Sequence, residues 1–440
     1  MTEIVSPVSP AFAKPARIKR DIGIKRRYAA ERRFRAYGVT AILVGIFFLF
    51  VLLWTVVSNG YTAFEQTNIT LPIEFSEKII DPNNKRATDP DALMASNYPL
   101  LARDALIKVL GISPTDRAAV KRATDMISAS ARTQLRDIVM ADPSVIGKTV
   151  TVSLLAEGNI DSANKGQIDL SVDEARRKVN DQQLGWMKTL NDSGAMTKNF
   201  NTGLFSFGAS SRAEAAGVGV AALGSLYMML IVLALALPIG VAASIYLEEF
   251  APKNKLTDLI EVNINNLAAV PSIVYGLLGL SVFINFMGMP RSAALVGGLV
   301  LTLMTLPTII IATRASLRAV PPSIRAAALG LGASKMQTIF HHVLPLAAPG
   351  ILTGTIIGLA HALGETAPLL LIGMVAFVVD FPGSPMQPST ALPVQIYMWA
   401  NEAERAFVER TSGAIIILLV FLILMNLGAI LLRRRFERRW

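Results

Sequence analysis

An imidazole and a carboxylate stand one helical turn apart inside an apolar run, His361 and Glu365 in HALGETAPLLLIG. Residues four apart share a helix face, so this spacing predicts a side-chain pair. A carboxylate near mid-membrane costs about 3 kcal/mol unless it is partnered or wet, so Glu365 is expected to face a bundle interior. Two roles fit that place: bonding neighbouring helices, or lining a path together with His361 and the adjacent Thr366. Metal binding is not expected, because the pair has no evident third ligand. The sequence contains no P-loop, no GxSxG, no zinc-spaced His/Cys cluster and no cysteine. No catalytic residue, cofactor or metal is therefore assigned, and the chain is not expected to hydrolyse ATP itself.

The second informative stretch is polar and broken by turns, running from Arg314 to Pro345 as RASLRAVPPSIRAAALGLGASKMQTIFHHVLP. Ser323 is predicted to cap a short helix through Leu331, and Gly332 supplies the break. Ser334 then caps a second helix that ends at Leu344 before Pro345. Ala326, Ala327 and Ala328 give the first helix a flat face, while Met336, Ile339, Phe340 and Val343 form an apolar stripe on the second. Two helices set at an angle around a glycine make a shape that a partner can grip. The docking set is Arg325, Ala326, Ala327, Ala328, Gly332, Ala333, Ser334 and Lys335. The alternative is a helix pair resting on lipid head groups.

These residues need a membrane to position them. Of the 440 residues 52% are hydrophobic and only 17% charged, and the mean hydropathy is +0.48, a composition outside the soluble range. About 20 helical residues span the hydrocarbon layer, and six apolar runs qualify, near 37–58, 217–247, 266–288, 292–313, 346–374 and 412–432. The net charge of +10 is concentrated at the ends. The tail 1–36 carries Lys14, Arg17, Lys19 and Arg20 among others, and 433–440 holds Arg433, Arg434, Arg435, Arg438 and Arg439. Basic flanks mark the cytoplasmic side, so both termini and the 314–345 loop are expected there. That leaves residues 59–216 and the acidic 375–411 segment outside. Absence of cysteine suits exposure to an oxidising compartment. The first run is read as a signal anchor, since no small-x-small cleavage site follows at once. Glu248 and Glu249, at the cytoplasmic edge of the second run, are expected to cap it or pair with Lys253 and Lys255.

Residues 59–216 are long enough for a domain of their own and read as mixed α/β. Ile69, Leu71, Ile73 and Phe75 alternate as in a strand, and 149–155 and 168–172 offer two more. Helical spacing fills 91–109 and 114–140, and a third helix leads from 172 to about 189. Charges nearly balance here, with neither a basic nucleic-acid face nor an acidic metal cluster. The segments after 217 are rich in Gly, Ala and Pro, which lets helices approach and kink around a path. No inverted repeat joins the two halves, which disfavours an ion-coupled secondary carrier.

The loop resembles the EAA coupling loop of ABC-importer permeases, a Glu-Ala-Ala start followed by a glycine and a later Leu-Pro. Ala327, Ala328, Gly332, Leu344 and Pro345 match, whereas Ala326 stands where the family usually has glutamate. Further resemblance lies in GSLY at 224–227, PIGVAASIYLEEF at 238–250, NLAAVPSIVYGLLGL at 266–280, GETAPLLL at 364–371 and LPVQIY at 392–397. Together these are similar to the phosphate-specific permeases called PstA, over the first span and everything from about 217 onward, with 59–216 resembling the long-insert variety. The resemblance implies an all-α, six-span permease of the type I, MetI-like kind with a mixed α/β external insert, in a bacterial inner membrane.

It also implies partners: a second permease (PstC-like), a dimer of ATP-binding subunits (PstB-like), a periplasmic phosphate-binding protein (PstS-like) and membrane lipid, but no nucleic acid. Related permeases usually carry arginine where His361 stands, and another where Ile311 occurs. Arg314, three residues beyond Ile311, or the partner permease is then expected to supply the path's positive charge. The rival readings are a permease for another oxyanion, such as sulfate or molybdate, and a membrane-anchored sensor.

Overall fold

A computed structural model describes residues 23–82 and 90–436. Lys14, Arg17, Lys19, Arg20, Arg438 and Arg439 of the two expected tails lie outside the described residues. Among the described residues five helices are long and apolar enough to cross a membrane, or six if one bent pair counts as a span. The chain divides into two units after Thr55. The first contains most of α1 (Ile24–Gly60), whose apolar run supplies one of the candidate spans.

In the second unit a three-stranded antiparallel sheet has the order β2-β1-β3. The central strand β1 (Glu65–Glu74) pairs with β2 (Thr149–Leu155) and β3 (Met196–Phe200). Ile69, Leu71, Ile73 and Phe75 are fully buried on one face, as their alternation requires. Pro72 sits in this central strand without breaking it. The amide of Thr70 points to the β3 side, bonding the Ala195 carbonyl, and Pro72 shares that direction two residues later. The β3 pairing has already stopped at Ile69, so the missing N–H of Pro72 faces an open edge.

Four helices pack on this sheet, α2 (Tyr98–Leu110), α4 (Ala131–Ala141), α5 (Gly158–Asn164) and α6 (Asp181–Asp192), and α3 (Arg117–Thr124) packs on α2. Asn180 and Gln183 form a capping box that starts α6. The strand expected at 168–172 is a run of turns instead. β3 takes its place, and its sequence MTKNF has no alternation; only the distant partner Glu65–Ile69 makes it a strand.

The bundle follows. α7 (Gly219–Phe250) ends in a wide π turn over Tyr246–Phe250. α8 (Lys255–Ala268) and α9 (Ser272–Phe286) meet at 99°, because Pro271 lacks an amide and pushes Val270 out of the helical region. The run expected at 266–288 thus begins on one arm of this bend and continues on the other. α10 (Ala294–Ala319) and α11 (Pro322–Gly330) come next, then α12 (Lys335–Gly364). α12 stops short of the expected 374, since Pro368 cannot donate to the Gly364 carbonyl. A short α13 (Ala367–Leu371), α14 (Leu392–Ala400) and α15 (Ala406–Phe436) complete the chain. α7 and α10 pack through small residues, with Gly240 against Ile309 and Gly298 against Ile231.

Insert and bundle share a charged junction at the start of α15. The Lys165 ammonium has no exposure and bridges Asp161 at 2.7 Å and Glu409 at 2.9 Å. Arg410, 2% exposed, donates to the Gln66 side chain at 2.6 Å. Removing one member of such a buried pair typically costs about 3–5 kcal/mol. Beside it, Gly158 leaves room for Glu404 and Glu214, whose carboxylates a Cβ there would strike.

Burial holds the Glu157 carboxyl above the ordinary glutamate range, aided by the charge of Glu214. Burial, then Glu214 and Glu157, do the same to Glu404. A raised carboxyl stays protonated in the folded state after the unfolded chain has released its proton. Its stabilising contribution is complete below the ordinary glutamate range and is lost as pH rises through the raised values. The melting temperature of the purified protein is therefore expected to fall as pH climbs just above the ordinary glutamate range, and Glu404→Gln should flatten that slope. A profile that rises over this window, or one unchanged by Glu404→Gln, would contradict the assignment.

Candidate functional site

Three carboxylates and three guanidinium groups meet where α7, α8, α10 and α11 converge. The π turn of α7 places Glu248 and Glu249 in succession. Glu248 accepts from Arg318 at 2.9 Å and lies 3.5 Å from Arg314. Arg314 donates to Glu261 of α8 at 2.8 Å. Arg314 and Arg318 reach both acids because they lie one turn apart on α10. Glu249 takes Arg325 of α11 at 2.7 Å. The expected pairing of Glu248 and Glu249 with Lys253 and Lys255 is replaced by these arginines, whose planar forks suit carboxylates better than ammonium groups do.

Arg325 also donates to the carbonyls of Leu317 and Val320, each at 2.8 Å. Both lie at the C-terminal end of α10, where a cation is favoured; the Leu317 carbonyl also accepts from the amide of Val320, the residue just past the helix. One side chain therefore fastens α11 both to the end of α10 and to the end of α7. Pro321 and Pro322 stop α10, and Pro322 opens α11 in the position proline prefers. Ser323 is not the cap that the sequence suggested. Since α10 continues to Ala319, Arg314 belongs to a helix and not to the loop expected from 314.

α11 closes with a reverse turn at Gly332, whose φ is +85°. The Ala333 amide bonds the Ala328 carbonyl and the Gly332 amide that of Leu329, the Schellman pairing that calls for a left-handed residue. Ser334 and Gln337 then form a capping box, and the Lys335 ammonium lies 4.9 Å from the centre of the Phe250 ring. The helix so begun does not end at Leu344. A π turn over Thr338–Val343 precedes Pro345 and carries the axis onward to Gly364. Ala326 and Ala327 are exposed while Ala328 is buried. Of the expected apolar stripe, Ile339 and Val343 enter the core, and Met336 and Phe340 face outward with Leu331, which is 90% exposed.

The His361 imidazole lies 3.0 Å from the Glu365 carboxylate, the predicted pair. Glu365 is the residue at which α12 stops, with extended backbone, and Thr366 starts the next turn. Arg314 is not with them. Gly350 packs on Ser316, Gly354 on Ala312 and Gly358 on Ile309, so α10 and α12 run antiparallel and Arg314 stands level with residues 350–354 of α12. His361 is roughly 14 Å further along the axis. Among the described residues no group of three or more His, Cys, Asp or Glu could hold a metal.

Two family models match the chain. One, described as a domain of unknown function, covers residues 21–174. The other, the binding-protein-dependent transport system inner membrane component, covers residues 236–440. A probable ABC transporter permease protein, YqgI of Bacillus subtilis, is 32% identical over 50% of this chain and 79% of its own length. The phosphate transport system permease protein PstA 1 of Mycobacterium tuberculosis is 33% identical over 51% of this chain and 73% of its own. The chain belongs to the binding-protein-dependent transport permeases. A solved structure of the MetNI methionine ABC transporter aligns with 49% of this permease and 94% of its own chain, at 18% identity and a TM-score of 0.41.

As a member of this family the permease is a membrane-spanning subunit that works with a second permease, an ATPase and a substrate-binding protein. The residues missed by sequence reasoning are Glu261 and Arg318. Arg318 was marked by its i, i+4 spacing from Arg314, but Glu261 carried no local signal, since only the bend at Pro271 brings α8 beside α10.

The Arg325–Glu249 contact should appear as an energetic coupling in the permease. Arg325→Gln and Glu249→Gln are each expected to lower unfolding stability by about 2 kcal/mol. The double variant should lose at least 1 kcal/mol less than the sum, on the scale typical of contacting residues. Strict additivity in detergent-solubilised protein would show that the two side chains act independently.

Proposed function

We propose that this permease forms half of the transmembrane path of an ATP-driven importer of inorganic phosphate, and that an ATPase grips it at the elbow formed by α11, Gly332 and the start of α12. The observation that carries the mechanical part is the combination of a rigid root and an exposed tip. Arg325 roots the elbow in α7 and α10, whereas Ala326, Ala327, Leu331, Ala333, Ser334 and Lys335 surround the tip. The ion comes from the relatives named as phosphate permeases.

In this reading the elbow, the basic flanks and both termini face the cytoplasm. The insert faces outward, supported by its contacts with the start of α15, at the opposite end of the bundle from the elbow. α8, with Leu256, Leu259 and Val262 exposed and no buried residue, lies along the membrane surface. His361, Glu365 and Thr366 border the path. The Arg314 charge is matched by Glu248 and Glu261, so the positive charge that a phosphate needs comes from the partner permease.

ATP-driven closure of the ATPases moves the elbow, tilts α12 and turns the path from outward-facing to inward-facing. Gly332→Val tests the grip. Nothing lies within 4 Å of a Cβ built there, so the substitution acts only through the left-handed backbone, at roughly 1–2 kcal/mol. Phosphate uptake by cells carrying the whole importer should be abolished with membrane insertion intact; normal uptake would reject the coupling role. Competition identifies the ion: excess phosphate should suppress uptake of labelled phosphate, whereas sulfate and molybdate should leave it unchanged. Equal suppression by sulfate or molybdate would favour a permease for that oxyanion.

A further inference from the structure

The insert holds a cavity that the transport reading does not use. It is an open cleft of about 660 Å³ between α2, α3, the start of α4 and the start of α6, within the range of small-molecule sites. Five cationic side chains line it: Arg103, Arg122, Arg132, Lys178 and Arg212. Two acids do, Asp125 and Glu157, and the buried Glu214 stands behind the same wall, accepting from the Ser128 hydroxyl at 2.6 Å.

The acids do not cancel the cations. Glu157 is engaged as the cap of α5, accepting from the Asn159 amide at 2.9 Å, the Asn159 side chain at 2.7 Å and the Ile160 amide at 3.3 Å. Arg103 is paired with Asp104, and Arg122 bonds the Gln182 side chain at 2.6 Å. Among the described residues no carboxylate closes a salt bridge on Arg132, Lys178 or Arg212. Three cations thus converge from α4, from the turn before α6 and from the segment leading to α7. Ser128, Ala129 and Ala131 at the start of α4 line the same wall. The larger neighbouring cavity differs. There Glu157, Asp169, Glu214, Glu404 and Glu409 face Lys165, Arg176, Arg177, Arg405 and the shared Lys178 and Arg212, so the signs nearly offset one another.

We propose that this cleft binds a multivalent oxyanion of the phosphate class, as inorganic phosphate or as a larger phosphate compound such as pyrophosphate. Guanidinium forks from two sides and an ammonium group match tetrahedral oxyanions better than single-point anions such as chloride. The cleft is built wholly from the insert and the segment joining it to α7. The inference rests on that local charge balance and not on which ion the bundle transports.

The test uses the purified full-length chain in detergent, titrated calorimetrically with inorganic phosphate, pyrophosphate and, at matched ionic strength, sodium chloride. The wild type should bind phosphate or pyrophosphate in excess of any chloride effect. Arg132→Gln combined with Lys178→Gln should weaken that binding at least tenfold while the melting temperature is retained. The charge-keeping swap, Arg132→Lys with Lys178→Arg, should bind within a few-fold of wild type. Should the neutralised double variant fail to fold, Arg212→Gln, outside the insert's core, is the second probe and should weaken binding several-fold. Binding no stronger than chloride's, or binding that survives neutralisation in a folded variant, would overturn the proposal. Failure of phosphate uptake with cleft binding intact would sink the transport reading and leave this one standing.

Discussion

The mutual neutralisation of Glu248, Glu249 and Glu261 by Arg314, Arg318 and Arg325 is the constraint on which the elbow end of this permease depends. Each acid and each base comes with an element that could otherwise move separately. α7 contributes two carboxylates, α8 one, α10 two guanidinium groups and α11 one. Partly buried charges of this kind are weak evidence for stability but strong determinants of arrangement, because any other packing leaves a charge without its partner. The network therefore specifies where α11 points, and through Gly332 where α12 begins.

Family permeases usually carry glutamate at the position of Ala326, and this chain has arginine one residue earlier. That arginine faces inward. It ties α11 to its own bundle through Glu249 and the carbonyls of Leu317 and Val320, so the outward face of α11 presents no charge, with Ser323, Ala326, Ala327 and Leu329 exposed. The orientation of Ala326 and Ala327 is thus set from behind, by Arg325.

Much of this was legible in the sequence where the cause is local. The alternation of Ile69, Leu71, Ile73 and Phe75, the capping box at Ser334, the reversal at Gly332 and the pairing of His361 with Glu365 all follow from spacing or from one residue's chemistry. The unread parts depend on residues far apart in the chain. MTKNF becomes a strand only beside Glu65–Ile69, Glu261 meets Arg314 only because Pro271 turns the chain, and Lys165 meets Glu409 across 244 positions. Ser323 was misread because two prolines just before it already satisfy the helix start, and Leu344 was misread as an end because a π turn lets the helix absorb Pro345.

That absorption has a mechanical result. Lys335 to Gly364 forms 30 residues of continuous helix, about 45 Å long, with the capping box at one tip and the His361–Glu365 pair at the other. Helices bend at π turns and prolines, so a displacement at the first tip must pass the π turn over Thr338–Val343, Pro345 and Pro349 before it reaches the second.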